Sequence, residues 1–561
     1  MRRYARLVVT ILLAWGMALA VTGAQESRSQ GRSMVISRGG IVAAENPLAA
    51  QAGAAVLAKG GSAVDAIVAT NPVMGVVEPM MSGIGGDLFA IVYDAKSGKL
   101  YGLNASGWAP EKLTIEFLKS KGITAMPQTG IDSVTVPGAV DGWSKLLARF
   151  GTKKLPELLA PAIYYAREGF PVAEWDAVYW QGAEGKDGNL SSTYLIDGRV
   201  PRVGELFRNP ALARSLEAIA SGGRDAYYKG EIASRIVEFS SKLGGTMTAQ
   251  DLADYSSEWV EPISTTYHGW TVYEIPPNGQ GIAALMMLNL MERFALSQFG
   301  HNSADALQVM IEAKKLAYAD MHRYVADPRF SKVPVEGMLA KDYAAQRAKL
   351  IDMAKANCAV SPGEPQLPTT GDTTYLTAVD RDGNMVSLIQ SNFAEFGARL
   401  VPDGVGFSLQ NRGGLFSLDP TSPNALAGHK RPLHTIIPGF MARGDERIAF
   451  GIMGGFNQAQ AHAQFVSNVV DFGMNIQAAM EAARFTKLTF DGCDVAMEDR
   501  IPQAVRDALT ARGDRIELLG DYATEVGGGQ AVRRDFSKGV NYGASDPRKD
   551  GEAIPEPPPT R

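Results

Sequence analysis

Gly371-Asp372-Thr373-Thr374-Tyr375-Leu376-Thr377-Ala378-Val379-Asp380, then Arg381-Asp382-Gly383-Asn384, then Met385-Val386-Ser387-Leu388-Ile389-Gln390-Ser391 is the stretch whose reading decides the fold. Two runs rich in Thr, Val, Leu and Ile flank an Asp-Gly-Asn turn, which supplies the positive-φ residues of a tight β-hairpin. The preceding segment, Ser361 to Asp372, holds three prolines and two glycines, a composition that resists strand pairing and favours exposure. An exposed segment running into a strand that opens Thr-Thr suggests a cut between Asp372 and Thr373. A threonine hydroxyl is a weak nucleophile until a base takes its proton, and an N-terminal threonine carries that base as its own α-amine. A free α-amine titrates near ~7.7–8.0, so part of it is unprotonated at neutral pH. Threonine is also common in strands, and pattern alone favours an ordinary structural residue.

Working outward, Met1 to about Ala24 reads as a secretory signal. Arg2, Arg3 and Arg6 precede an apolar run from Leu7 to Val21, and Thr22-Gly23-Ala24 offers small residues for cleavage. The run is short for a bilayer span of about 20 residues, so no stable membrane anchor is expected and the location expected is periplasmic or secreted. The chain has 561 residues, 45% hydrophobic and 20% charged, with net charge −5. That composition suits a soluble enzyme and, lacking a basic stripe, argues against nucleic acid as a partner. Cys358 and Cys493 are the two cysteines; an exported chain permits their pairing, and the sequence leaves it open. Six scattered histidines show no metal-ligand spacing, so neither a metal nor a cofactor is expected. A Gly-x-Ser-x-Gly elbow is also absent.

Asn46 to Lys59 reads as a helix stopped at Gly60-Gly61, and Val64 to Val77, apolar almost all round, as a buried helix. Gly83-Ile84-Gly85-Gly86 precedes a strand rather than a helix and is read as close backbone packing, not phosphate binding. Ala139 to Gly169, Pro210 to Gly244, Gln280 to Phe294, Ser303 to Tyr324, Pro334 to Ala356, Ala461 to Val470 and Ile476 to Arg484 read as mainly helical. Helices mixed with strands of this kind suit a sheet sandwich covered by helices, an α+β class.

Several blocks then carry a resemblance. They include Asp65 to Thr70 through Val77-Glu78-Pro79, Ser82-Gly83-Ile84-Gly85-Gly86-Asp87, Val136-Pro137-Gly138 and Pro276-Pro277-Asn278-Gly279-Gln280-Gly281. Leu159-Ala160-Pro161-Ala162 through Glu168-Gly169-Phe170-Pro171-Val172, the Thr373-Thr374 hairpin, Lys430-Arg431-Pro432-Leu433, Met453-Gly454-Gly455 and Gly543 to Arg548 complete the set. In this order, from about Gly40 to Arg548, they resemble the γ-glutamyltranspeptidase family of N-terminal-nucleophile (Ntn) hydrolases, closer to its cephalosporin and glutaryl acylase-like branch. The resemblance implies a four-layer αββα sandwich. It also implies self-cleavage into a large fragment, 25–372, and a small one, 373–561, which stay associated as one domain.

By that resemblance Thr373 is the nucleophile, Ser391 the hydroxyl residue beside it, and Gly454-Gly455 the oxyanion-binding pair. Asn392, Asn411, Arg412, His434 and Thr435 are the expected substrate-binding residues. The substrate implied is a small-molecule or peptide amide. Departures from the family pattern concern the acyl group. Asn104-Ala105-Ser106-Gly107-Trp108-Ala109-Pro110 lacks the arginine that binds the glutamate α-carboxylate. Leu415 stands where an aspartate binds the α-amine, His434-Thr435 replaces a Ser-Ser pair, and the loop from Phe416 to Arg431 is short. A carboxylate without a neighbouring amine needs only a cation, for which Arg412 and Arg399 are candidates. The readings weighed are a γ-glutamyl amidohydrolase of the glutathione-hydrolase type, a glutaryl- or oxamate-type acylase, and an inactive binding paralogue.

Overall fold

Side chains alternate faces along a strand, and the hairpin sorts its two rows cleanly. Tyr375, Val379, Met385 and Ile389 face one apolar cluster, whereas Leu376, Ala378, Val386 and Leu388 face another. The antiparallel register sets Tyr375 opposite Ile389 and Leu376 opposite Leu388. The computed structural model describes residues 30–184, 188–361, 372–487, 489–490 and 492–558. The expected signal segment and the Pro-rich run at 362–371 lie outside them.

The hairpin strands, Asp372–Val379 and Met385–Phe393, occupy the middle of a seven-stranded sheet. Ile41–Ala44 and Glu552–Pro555 extend it on one side; Asp87–Asp94, Lys99–Ala105 and Glu258–Val260 extend it on the other. A second seven-stranded sheet runs in the order Val35–Ser37, Val540–Ser545, Gly529–Asp535, Glu446–Ile452, Gly439–Arg443, Trp270–Glu274, Ile263–Tyr267. Ile41, Phe89, Ile91, Tyr375 and Ile389 of the first sheet meet Phe440, Ala449 and Val532 of the second, forming a dry layer between them.

Each sheet's other face is covered by helices. Pro47–Ala58, Ala63–Val77 and Ala139–Phe150 pack on the hairpin sheet, with Leu155–Glu168 lying against Ala63–Val77. Gly281–Met291 and Gln458–Val470 pack on its partner, with Ala304–Tyr324 lying against Gly281–Met291. The architecture is therefore the expected αββα sandwich. Ala63–Val77 is buried along its whole length, and Ser62 and Asp65 close a capping box at its start. Asn46 caps Pro47–Ala58, whose proline sits at the first turn where no N–H is needed.

One expected helix is shorter than its sequence pattern. Between Pro334 and Ala356 the helices are Val335–Leu339 and Lys341–Ala348, and 349–356 is irregular. Tertiary contacts override propensity there. Gln308 Nε2 donates to the carbonyl of Asp352 at 2.9 Å, and the Ala356 N–H donates to Arg512 O at 2.8 Å. Those contacts carry the chain to Cys358, which is bonded to Cys493. The disulfide settles the open question about the two cysteines and joins positions on either side of Thr373. Among the described residues no helix is long and apolar enough to cross a membrane.

Replacing both Cys358 and Cys493 by serine is expected to lower stability by about 3 kcal/mol, read from the urea midpoint. An unchanged midpoint would show that the bridge holds nothing the packing does not already hold.

Candidate functional site

Thr373 lies at the head of its strand and is fully buried. The register slips by one between Asp372, opposite Phe393, and Thr374, opposite Gln390. Ser391 and Asn392 therefore share the single position opposite Thr373, a β-bulge of the kind that re-aims side chains beside functional groups. The Thr373 Oγ1 hydroxyl lies 3.2 Å from Ser391 Oγ, and Ser391 Oγ also accepts the Phe393 N–H at 2.8 Å. Both threonine and serine are on the inter-sheet row with Tyr375 and Ile389, so the nucleophile candidate sits at the end of the dry layer.

The glycine-rich turn at 83–86 packs against this pair, as its sequence suggests. A Cβ at Gly86 would lie 2.4 Å from Ser391 O and 2.7 Å from Asn392 Oδ1. Asn392 is itself tied down, its Nδ2 donating to Ser82 O at 3.0 Å. Asn411 likewise bridges, accepting from Ala394 N at 3.0 Å and donating to Gln128 O at 2.7 Å. The structure thus places both asparagines as braces of the loops around Thr373.

Gly454 and Gly455 have φ of +128° and +56°, the left-handed region that a side chain resists. Gln280 Nε2 holds the Gly455 carbonyl at 2.8 Å. Three residues on, Gln458 opens the Gln458–Val470 helix and points its Nε2 at Thr373 Oγ1, 3.4 Å away, while its Oε1 accepts the Ile437 N–H at 3.1 Å. The diglycine turn and the threonine thus belong to one neighbourhood. Gln458 was not anticipated from the sequence, where a glutamine in a polar helix start carries no signal.

A second group of expected residues forms a buried polar network. Arg412 is fully buried rather than a surface residue, with Nη1 donating to Thr435 Oγ1 at 2.6 Å and its guanidinium 4.3 Å from the Phe393 ring centroid. Among the described residues its Nε and Nη2 have no partner. Burial pushes this guanidinium down to about 9, with Asp87 opposing the shift. His434 accepts the Ile436 N–H on Nδ1 and places Nε2 2.8 Å from Asp87 Oδ2, a geometry that fits the neutral Nε2–H tautomer. Burial, with Arg412 and Arg431 nearby, holds His434 well below its ordinary value. Burial raises Asp87 to about 7 in spite of those cations. Phe393, Phe396 and Arg399 all have positive φ, a cost of about 1–3 kcal/mol each that the surrounding loops must hold in place. Arg399 is half-buried and lies on this strained segment.

A cavity of about 510 Å³ opens beside the network, lined by Gly414, Leu415, Phe416, His322, Lys119 and Met126 among others. Leu415 follows Arg412 on the same short 3₁₀ turn, Arg412–Leu415. The γ-glutamyltranspeptidase family model matches residues 49–556. The chain belongs to this family. Within it, a Bacillus subtilis (strain 168) glutathione hydrolase-like YwrD proenzyme is 37% identical over 535 residues, covering 93% of this chain and 99% of that protein. The acylase ACY 1 proenzyme of Pseudomonas sp. (strain SE83) is 35% identical, covering 92% of this chain and 93% of its own. Among solved structures, the cephalosporin acylase from Bacillus halodurans superposes with a TM-score of 0.88 at 42% identity, over 95% of this chain and 98% of that one. A γ-glutamyltranspeptidase-family chain with this sandwich is an enzyme of the Ntn-hydrolase class.

If Gln458 orients the Thr373 hydroxyl, Gln458→Leu should lower kcat by roughly fivefold, the worth of one neutral hydrogen bond of about 1 kcal/mol. KM should stay near its wild-type value; a change confined to KM would place Gln458 in substrate binding instead.

Proposed function

We propose that this chain is an exported, self-processing amidohydrolase whose preferred acyl group is a short dicarboxylic acid lacking the α-amine of glutamate. The observation that carries the reading is Arg412, a buried cation whose Nε and Nη2 have no partner among the described residues, on the same 3₁₀ turn as an apolar Leu415. A buried donor left unmade costs about 1–3 kcal/mol, more when charged, so a ligand carboxylate that fills it binds with that much advantage. Leu415 offers nothing to an ammonium. The kinship with proteins named acylase and glutathione hydrolase-like supports the chemistry in either substrate form, and γ-glutamyl amides are the second substrate class of this reading.

In the proposed reaction Thr373 first becomes an N-terminus by cleavage after Asp372. Its α-amine takes the Oγ1 proton as Oγ1 bonds to the acyl carbon, and the same proton passes to the leaving nitrogen as the C–N bond breaks. Water then gives a proton to the amine and its oxygen to the acyl carbon; the ester bond to Oγ1 breaks and the proton returns there. Ser391 and Gln458 orient the hydroxyl, and the N–H groups of Gly454 and Gly455 receive the oxyanion. The shortened loop after Phe416 leaves the ester open to water, favouring hydrolysis over transfer.

Protein purified without protease contact should show two chains, one ending at Asp372 and the other beginning at Thr373, whereas Thr373→Ala should stay single. Without reductant the two should run together through the Cys358–Cys493 bridge. Turnover of glutaryl anilide should exceed that of γ-glutamyl anilide, and Arg412→Leu should raise KM for the glutaryl substrate by roughly 30-fold, about 2 kcal/mol for a charged hydrogen-bond pair. A preference for γ-glutamyl anilide in the wild type would overturn the acyl assignment while leaving the nucleophile in place.

A further inference from the structure

Behind the threonine strand lies a buried patch that the reaction above does not use. Thr374 turns its side chain to the face opposite Thr373 and donates from Oγ1 to Glu78 Oε2 at 3.1 Å. The Tyr375 N–H, pointing sideways where the neighbouring strand has ended at Ala44, donates to Glu45 Oε1 at 3.0 Å. Glu45 is fully buried, Glu78 nearly so, and Glu45 Oε2 has no partner among the described residues. Around them lie Asp176, held by Asn46 Nδ2 at 3.1 Å, and Asp550, which accepts the Trp175 N–H at 2.8 Å.

Charges in this patch do not balance. Glu45, Glu78, Asp176 and Asp550 are acidic, and Lys549, whose Nζ lies 3.8 Å from the Tyr179 ring centroid, is the neighbouring cation. Asp546 also faces Glu45 but is engaged by Arg484 and Arg548. Buried carboxyls in excess of their counter-charges hold their protons. Burial raises Glu78 to about 7 against the pull of Lys549, and burial followed by the Glu78 charge raises Glu45 well above the carboxylate range.

Backbone N–H groups alternate sides along a strand, so the nitrogen of Thr373 points the same way as that of Tyr375, toward Glu45. We propose that Glu45, through its unpartnered Oε2, is the positioning residue for the α-amine of Thr373 in the cut enzyme. This rests on the self-processing reading above. Cleavage brings a new cation to a buried region that is short of positive charge. The Glu45 carboxyl then ionises against the ammonium, fixes its direction by a charge-assisted hydrogen bond, and holds the nitrogen on the side of the strand from which it reaches Oγ1.

The signs follow from that pairing. A carboxylate beside the ammonium favours its charged form and raises the amine above its ordinary range. Activity is lost as pH falls through the amine's titration, because an ammonium cannot take the hydroxyl proton. Glu45→Gln removes the negative partner, so the acidic limb of kcat/KM should move to lower pH by about one unit, kcat at the optimum should fall, and Glu45→Asp should restore much of the wild-type profile. Cut Glu45→Gln protein with an unmoved acidic limb would overturn the proposal. Should that variant misfold, titration of the Thr373 amine in ¹⁵N-threonine-labelled wild-type enzyme decides instead. A midpoint above ~8 is expected, and one at or below the free-amine range of ~7.7–8.0 would overturn it. Wild-type protein that remains a single chain would sink the self-processing reading itself, and is seen on a gel before any pH is varied.

Discussion

The hairpin register is the constraint on which the rest of the molecule depends. With Leu376 opposite Leu388 and Tyr375 opposite Ile389, one row of side chains belongs to the helix layer and the other to the dry inter-sheet layer. Slipping by a single residue would exchange the rows, driving Thr377 and Ser387 toward the helices and Leu376 and Leu388 between the sheets. The same register, broken only at the bulge before Thr374, sets the hydroxyl of Thr373 against that of Ser391. Packing of two sheets and placement of one nucleophile candidate are thus a single geometric fact.

Around that fact the buried polar groups fall into two sets. In one, Arg412 and neutral His434 gather near Asp87, and Arg431 is paired with Glu258. In the other, Glu45, Glu78, Asp176 and Asp550 make a region rich in carboxyls. Thr373 heads the strand between them, its hydroxyl beside Ser391 and Gln458 and its neighbours Thr374 and Tyr375 bonded to Glu78 and Glu45.

Much of this was legible in the chain itself, for identifiable reasons. The hairpin, the buried Ala63–Val77 helix and the glycine turn at 83–86 are local patterns: alternation, all-round apolarity, and glycines where a Cβ would strike Ser391 O. The layered fold and the family followed from blocks in a fixed order. What was hidden is long-range. Gln458 reaches Thr373 across 85 positions and Glu45 reaches Tyr375 across 330, and no window of sequence holds both partners. Arg412 in Gln410-Asn411-Arg412-Gly413 reads equally well as a surface arginine; its burial comes from Phe393 and Thr435, which belong to other segments. The helix expected through Ala356 stops at Ala348 because Gln308 and Arg512, also distant, claim the backbone there.

If the chain is cut as proposed, the Cys358–Cys493 bond has a further consequence. Two non-covalent fragments obey mass action: dilution pulls them apart, and each encounter to rebuild the site is bimolecular. A covalent tether from the end of one fragment to the middle of the other makes reassembly unimolecular, at a local concentration set by the tether rather than by the surroundings. Such a molecule keeps its active stoichiometry at any dilution, and it forfeits that protection only where the medium is reducing enough to open the bond.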